Sequence, residues 1–318
     1  MDISALSAQA SATSIVLSRA EWTAREAAHE ARADAFSADH RARRLAGKKH
    51  PIEDFLWTYY SYKPADLRRW HPGAGVVLEG AADVAPSKAF EGPGSTIPVP
   101  ARSEWRYYRT ANGSDLTVDL PAFFAKRATS VDFIADLLEK TIERPPHFAC
   151  FGLHEWAMVY KLTPEQIRHA GLPLRIGHEA TDAVVESNPI SCSHFDAYRF
   201  FTPDARPLNR LTPTRAEQIN DEQAGCLHAG MDVYKWVTKL GPIMPGELLL
   251  DAFELARDIR TVDMQASPYD VSGFDLPAIP IETPDGKREY AHRQRAFTDR
   301  GNALRVRVIQ AIATARAS

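Results

Sequence analysis

The sequence predicts an α+β protein, predominantly α-helical, with a few short strands. Three observations point there. Apolar residues recur at helical spacing in several long segments, the strand-like alternating runs are short, and those runs do not alternate regularly with helices as a doubly wound sheet requires. With 318 residues, 44% of them hydrophobic and 25% charged, the chain can bury a core without disulfides or a structural metal.

Residues 1–17 are small and polar and read as a mobile terminus. Ser18 and Glu21 form the Ser-x-x-Glu pattern of a capping box, so a helix begins there and runs through an Ala- and charge-rich stretch to about Leu45. It lacks a broad apolar stripe, which suits a mostly exposed helix packed on one side, or an arm to a partner. Residues 1–46 are therefore set apart from a main globular domain over 47–318. Aromatic residues crowd His50–Gly73, where Pro51 and Pro64 are placed to open short helices. Val76–Leu78 reads as a strand, and Trp105–Arg109 with Leu116–Leu120 as a hairpin about Asn112-Gly113. Ser130 is placed to cap a helix whose apolar face is Val131, Ile134, Leu137, Leu138 and Ile142, stopped by Pro145-Pro146.

In the central third, Phe148–Tyr160 reads as a buried helix and Ser193–Phe201 as a strand. Thr163 to Gln166 forms a second capping box, opening a short helix that Gly171 ends. Cys226–Leu240 reads as a helix. Pro245 opens a long one through Met264, with Leu248, Leu249, Ala252, Phe253, Ala256 and Ile259 as its stripe. A Pro-rich connector, 268–284, leads to C-terminal helices of alternating charge.

Composition narrows the function classes. The net charge of −3 offers no surplus of Lys and Arg for gripping phosphates, so DNA is a possible partner that charge does not support. Three cysteines in so long a chain argue against a disulfide framework. The N-terminus has no basic segment ahead of an apolar run, and no stretch approaches the ~18 apolar residues of a membrane span. A cytoplasmic protein without a membrane partner is expected.

The chemistry concentrates between His147 and Lys235. His154-Glu155, His178-Glu179, His194 with Asp196 and His228 with Asp232 each pair an imidazole with a carboxylate. His194 and Asp196 would share one face of a strand, and His228 and Asp232 one side of a helix. These side chains trade protons near neutral pH or bind borderline metals. Any one pair alone reads as a satisfied polar group; four in one third of the chain point to a pocket. His154, Glu155, His178, Glu179, Asp196 and Asp232 are its catalytic candidates.

Each cysteine also has a histidine just downstream, and Cys192, His194, Cys226 and His228 are candidate ligands for zinc or iron. Their spacing matches no known finger, and cysteines are often buried for packing alone. A Cys-His nucleophile is a further option, although nothing in the sequence marks one thiol as activated. Trp57, Tyr59, Trp156 and Arg199 are candidate substrate contacts. Aromatics at helical spacing more often fill a core. Arg68, Arg69 and His71 follow the aromatic cluster, and arginine can grip phosphate or carboxylate in a fork. There is no Gly-rich phosphate loop and no Gly-x-Ser-x-Gly elbow.

Five phrases, HPIEDFLWTYYSYKPADLRRWHPG, FGLHEWAMVY, GHEATDAVVES, CSHFDAYRFFTP and GCLHAGMDVYKW, resemble those of an actinobacterial family commonly labelled 3-methyladenine DNA glycosylase. The resemblance runs from about residue 48 to the C-terminus. It implies hydrolysis of the N-glycosidic bond of alkylated purines in DNA repair. A flipped base would stack on Trp57, Tyr59 or Trp156, and Glu155, Glu179, Asp196 or Asp232 would place water against the sugar carbon. The Gly-rich hairpin of helix-hairpin-helix glycosylases is not found in this sequence, and no catalytic residue is carried over from them. The alternative is a zinc- or iron-dependent enzyme acting on a small metabolite through the central cluster, without DNA. The sequence leaves the oligomeric state open.

Overall fold

The structure is a computed structural model that describes residues 14–92, 95–167 and 171–318. Among them are eleven α-helices and six short strands, the α+β, mostly helical composition that the sequence predicts. The chain divides into two compact units. Unit 1 takes Met1–Ala135, Tyr234–Phe253 and Val306–Ser318, and unit 2 takes Asp136–Val233 and Glu254–Arg305. Residues 14–46, the described part of the expected terminus and arm, fall within unit 1. No helix among the described residues is long and apolar enough to cross a membrane.

Unit 1 begins with strand β1 (Ile15–Leu17), in a stretch expected to be mobile; residues 1–13 of that stretch lie outside the described residues. Ile15-Val16-Leu17 is apolar, and its first two residues are β-branched, which favours the extended chain. It pairs parallel with β2 (Val76–Leu78). Strands β3 (Ser87–Gly92) and β4 (Ser95–Val99) form a separate antiparallel pair. The hairpin about Asn112-Gly113 forms as expected, from β5 (Tyr108–Thr110) and β6 (Leu116–Val118). The main sheet has the order β1-β2-β6-β5.

Helix α1 (Arg19–Leu45) starts at the predicted capping box. The Ser18 hydroxyl accepts from the Glu21 amide, and the Ser18 amide donates to the Glu21 carboxylate at 2.8 Å. Its buried residues, Trp22, His29, Ala33 and Ser37, form one narrow stripe at spacings of seven, four and four. Short α2 (Phe55–Tyr59) and α3 (Pro64–Arg68) follow. Arg68 clasps Glu30 with two bonds of 2.8 Å, and His29 Nε2 lies 2.9 Å from the Leu67 carbonyl. Trp57 stacks on His40 and tilts against Phe253, so it is a core residue. Tyr59 stacks on Phe55.

Helix α4 (Leu120–Glu143) begins ten residues before the expected cap at Ser130. The Asp119 carboxylate accepts from the Ala122 amide at 3.1 Å, and Pro121 suits a first turn. Ser130 is therefore mid-helix. Unit 2 contains α5 (Leu153–Ala157), α6 (His178–Ser187), α7 (Phe195–Tyr198) and α8 (Gln218–Asp221). The buried helix expected over Phe148–Tyr160 shrinks to α5, because Phe151 and Gly152 take positive φ, 46° and 75°, and break the helical run. Thr163–Gln166 makes its capping box around one 3-10 turn; residues 168–170 lie outside the described residues. The strand expected over Ser193–Phe201 is instead the turn of α7. The Tyr198 amide donates to the His194 carbonyl and the Arg199 amide to that of Phe195, so the alternation of large residues belongs to a helical turn. Helices α9 (Leu227–Leu240), α10 (Gly246–Gln265) and α11 (Pro284–Ala317) complete the chain, α11 being one 34-residue helix where several were expected. The unit boundaries fall within α4, α9, α10 and α11.

Gly246 opens α10 where a Cβ would lie 2.6 Å from Trp70 Cδ1 and 2.9 Å from His29 Nδ1. Both neighbours are buried, so Gly246→Ala is expected to cost about 1–3 kcal/mol in urea denaturation. An unchanged midpoint would show that the contact relaxes freely. Burial also keeps His29 and His71 neutral, pushing the His71 pKa down to about 3, with Arg102 adding repulsion. Unfolded imidazoles take protons near about 6.5, so the unfolded chain binds more protons below that pH. Stability should therefore fall as pH drops from about 6.5 toward 3. His71→Gln, which keeps an acceptor for the Tyr108 hydroxyl 2.9 Å away, should flatten that limb; an unaltered slope would refute the assignment.

Candidate functional site

Unit 2 gathers three of the predicted histidines. His154 stands on α5, His194 just ahead of α7 and His228 in the first turn of α9, and all three are buried. The rings of His154 and His228 meet edge-on with centroids 4.5 Å apart, and His228 stacks on His194 at 5.4 Å. Two glycines permit this convergence. A Cβ on Gly152 would press on the Tyr290 ring at 3.3 Å, and one on Gly225 would lie 2.6 Å from the His147 carbonyl oxygen.

A line of ionic hydrogen bonds runs through the cluster. His154 Nε2 lies 2.8 Å from Asp263 Oδ1. Arg260 Nη1 donates to Asp263 Oδ2 at 3.0 Å and to Glu155 Oε1 at 2.9 Å. On the other edge of the His154 ring, Nδ1 lies 3.8 Å from Cys150 Sγ. Burial alone would strip His154 of its proton, but Asp263 overcomes that and holds its pKa well above the ordinary value. Burial likewise opposes ionisation of Asp263; the charge of His154 wins and lowers its pKa. His228 is the contrast. Burial, then repulsion from His154, hold it well below the ordinary value, and its buried Nδ1 has no hydrogen-bond partner among the described residues.

Among the described residues, His154, His228 and Asp263 bring one ligand atom each within 4.8 Å of one another. Beside them, His194 Nε2 lies 3.2 Å from Asp232 Oδ2 and 3.8 Å from Glu222 Oε2. Cys150, Cys192 and Cys226 line a cavity of about 10 Å³ with His154, Tyr290 and Gln294, space for about one water. All three thiols are free.

The remaining predicted residues divide. Glu155 belongs to the ionic line and Asp232 to the His194 pair. His178 is half-buried, with Nδ1 3.1 Å from the Leu162 carbonyl, and Glu179 is exposed on α6; neither joins the cluster. Asp196 does not share a face with His194, since α7 replaces the strand, and it pairs instead with Arg199 and Arg215. Arg199 is exposed, against the Phe200 ring. Trp156 is core, its indole donating to the Ala266 carbonyl. Trp57 and Tyr59 pack within unit 1. The four-ligand set Cys192, His194, Cys226 and His228 does not gather within that distance, because Cys192 Sγ turns to the His194 carbonyl and His194 Nε2 to Asp232.

Asp263 and Arg260 were not among the sequence candidates. Asp263 follows Ala252, Ala256 and Ile259 on the apolar stripe of α10, and a charge on such a stripe is the signal that marks it. Arg260 separates two buried carboxylates, so Arg260→Leu should cost about 3–5 kcal/mol in denaturant titration. Glu155→Gln keeps an acceptor and should cost less. A loss under about 1 kcal/mol for Arg260→Leu would mean that the line contributes nothing net. No protein-family model, curated protein or solved structure matches the chain.

Proposed function

We propose that the chain is a metal-dependent enzyme acting on a small substrate, with its ion held by His154, His228 and Asp263. The supporting observation is the group of three donor atoms within 4.8 Å, one of them from buried His228, whose Nδ1 has no hydrogen-bond partner among the described residues. An imidazole held neutral offers a lone pair, and leaving it buried without a partner is costly unless something binds there. Two imidazoles and one carboxylate suit zinc or iron, either of which would supply Lewis acidity to a bound substrate or water. His154 Nε2 and Asp263 Oδ1, 2.8 Å apart, share a proton whose place an ion held there would take. The chain's other residues orient the donors. Cys150 faces the far nitrogen of His154, and Arg260 fixes the second oxygen of Asp263.

Elemental analysis of purified protein tests this directly, with about one zinc or iron per chain expected. His228→Ala should weaken binding by more than the about 10–100-fold typical of a supporting residue. Stoichiometric metal retained in that variant would overturn the assignment.

Cys150 offers a second chemistry. It is half-buried, His154 Nδ1 lies 3.8 Å from its sulfur, and Asp263 holds Nε2, the order of nucleophile, base and orienting carboxylate in thiol catalysis. Rapid Cys150 alkylation that depends on His154, in protein that holds no metal, would favour it. Both chemistries suit a reducing cytoplasm, where free thiols persist. The DNA-repair activity implied by the resemblance is checked on the same protein, by base release from alkylated duplex and by binding at low and moderate salt. Neither is expected here; release lost in Glu155→Ala or Asp232→Ala would replace the metal proposal with a glycosylase.

A further inference from the structure

Unit 1 contains a cleft of about 250 Å³ that the proposed chemistry does not use. Its walls come from α1, from the Arg68-Arg69-Trp70 run that ends α3, and from the segment leading to Trp105. Two carboxylates and three guanidinium groups line it. Glu30 is clasped by Arg68 with two bonds of 2.8 Å. Glu26 accepts from buried Arg102, whose other arm donates to the Trp70 carbonyl at 3.0 Å. Both carboxylates are thus engaged. Arg69 is exposed, has no hydrogen bond or ion pair to a carboxylate among the described residues, and is held with its guanidinium 5.3 Å from the Trp105 ring centre. That contact limits the wandering of a long side chain.

We propose that this cleft binds a small organic anion, a carboxylate or phosphate monoester on an apolar body, with Arg69 gripping the charge. The sign follows from the pairing: among the described residues that line the cleft, Glu26 and Glu30 take Arg102 and Arg68, and Arg69 is the positive group left over. The fork of a guanidinium matches both oxyanions. The apolar body follows from the walls, since Val84, Pro98 and Pro100 present apolar surface beside the Arg69–Trp105 stack. The size follows from the volume, which lies below the range typical of drug-sized ligands. This is a different site from the metal donors of unit 2, and its test reads binding alone.

Benzoate, phenyl phosphate, inorganic phosphate and benzamide are the probes. Binding would be followed by tryptophan fluorescence, because Trp22, Trp70 and Trp105 all line the cleft, and by calorimetry. Benzoate or phenyl phosphate should bind at least about ten-fold tighter than neutral benzamide, and Arg69→Ala should remove that preference. Arg69→Lys, which keeps the charge without the fork, should restore part of it. Arg69 is exposed, so the variants should fold, and an unchanged melting temperature checks this. The preference of benzoate over phenyl phosphate, or the reverse, tells which anion the cleft is built for. Equal affinity for benzoate and benzamide, or an Arg69→Ala protein that still prefers the anion, would overturn the proposal. So would inorganic phosphate binding as tightly as phenyl phosphate, since the apolar walls would then play no part.

Discussion

Asp263 has no exposed surface at all, and much of unit 2 follows from what its carboxylate needs. A charge taken out of water persists only where opposite charge and hydrogen-bond donors surround it. Arg260 and His154 supply both, and Arg260 in turn requires Glu155. Charges alternate along the line, so its members largely neutralise one another. Removing one strands its neighbours, which couples the four side chains more tightly than their separate contacts suggest.

The three imidazoles, though adjacent, are not equivalent. Asp263 favours the protonated form of His154, while burial, aided by repulsion from His154, favours the neutral form of His228. Two rings whose centroids stand 4.5 Å apart are thereby pushed in opposite directions.

What the sequence showed depended on how local the signal was. The capping box at Ser18 and the Asn112-Gly113 hairpin were legible because each is decided within a few residues. The strand read into Ser193–Phe201 failed for the same reason: alternation over so few residues does not separate a strand from one helical turn, and long-range packing chose the turn. His154, Glu155, His228 and Asp232 were legible as residue types, and His194 as well, but not their partners. His154 and Asp263 are 109 residues apart, and nothing local joins them. The Cys-His spacings suggested a zinc-type set, yet they placed residues in one neighbourhood without placing their donor atoms at one point.

Strand β1 carries a consequence for how the chain is made. Its partners on β2 lie about sixty residues further on, while α1, which follows it directly, is capped by its own neighbours. At about 5–20 residues per second, β1 waits about 3–12 seconds after synthesis before its partner has been made. Ile15 and Val16 remain 61% exposed even after pairing. During that interval both edges of the strand are open to any other extended chain, so crowded expression puts this short segment, more than the helical body, at hazard of mispairing between nascent copies.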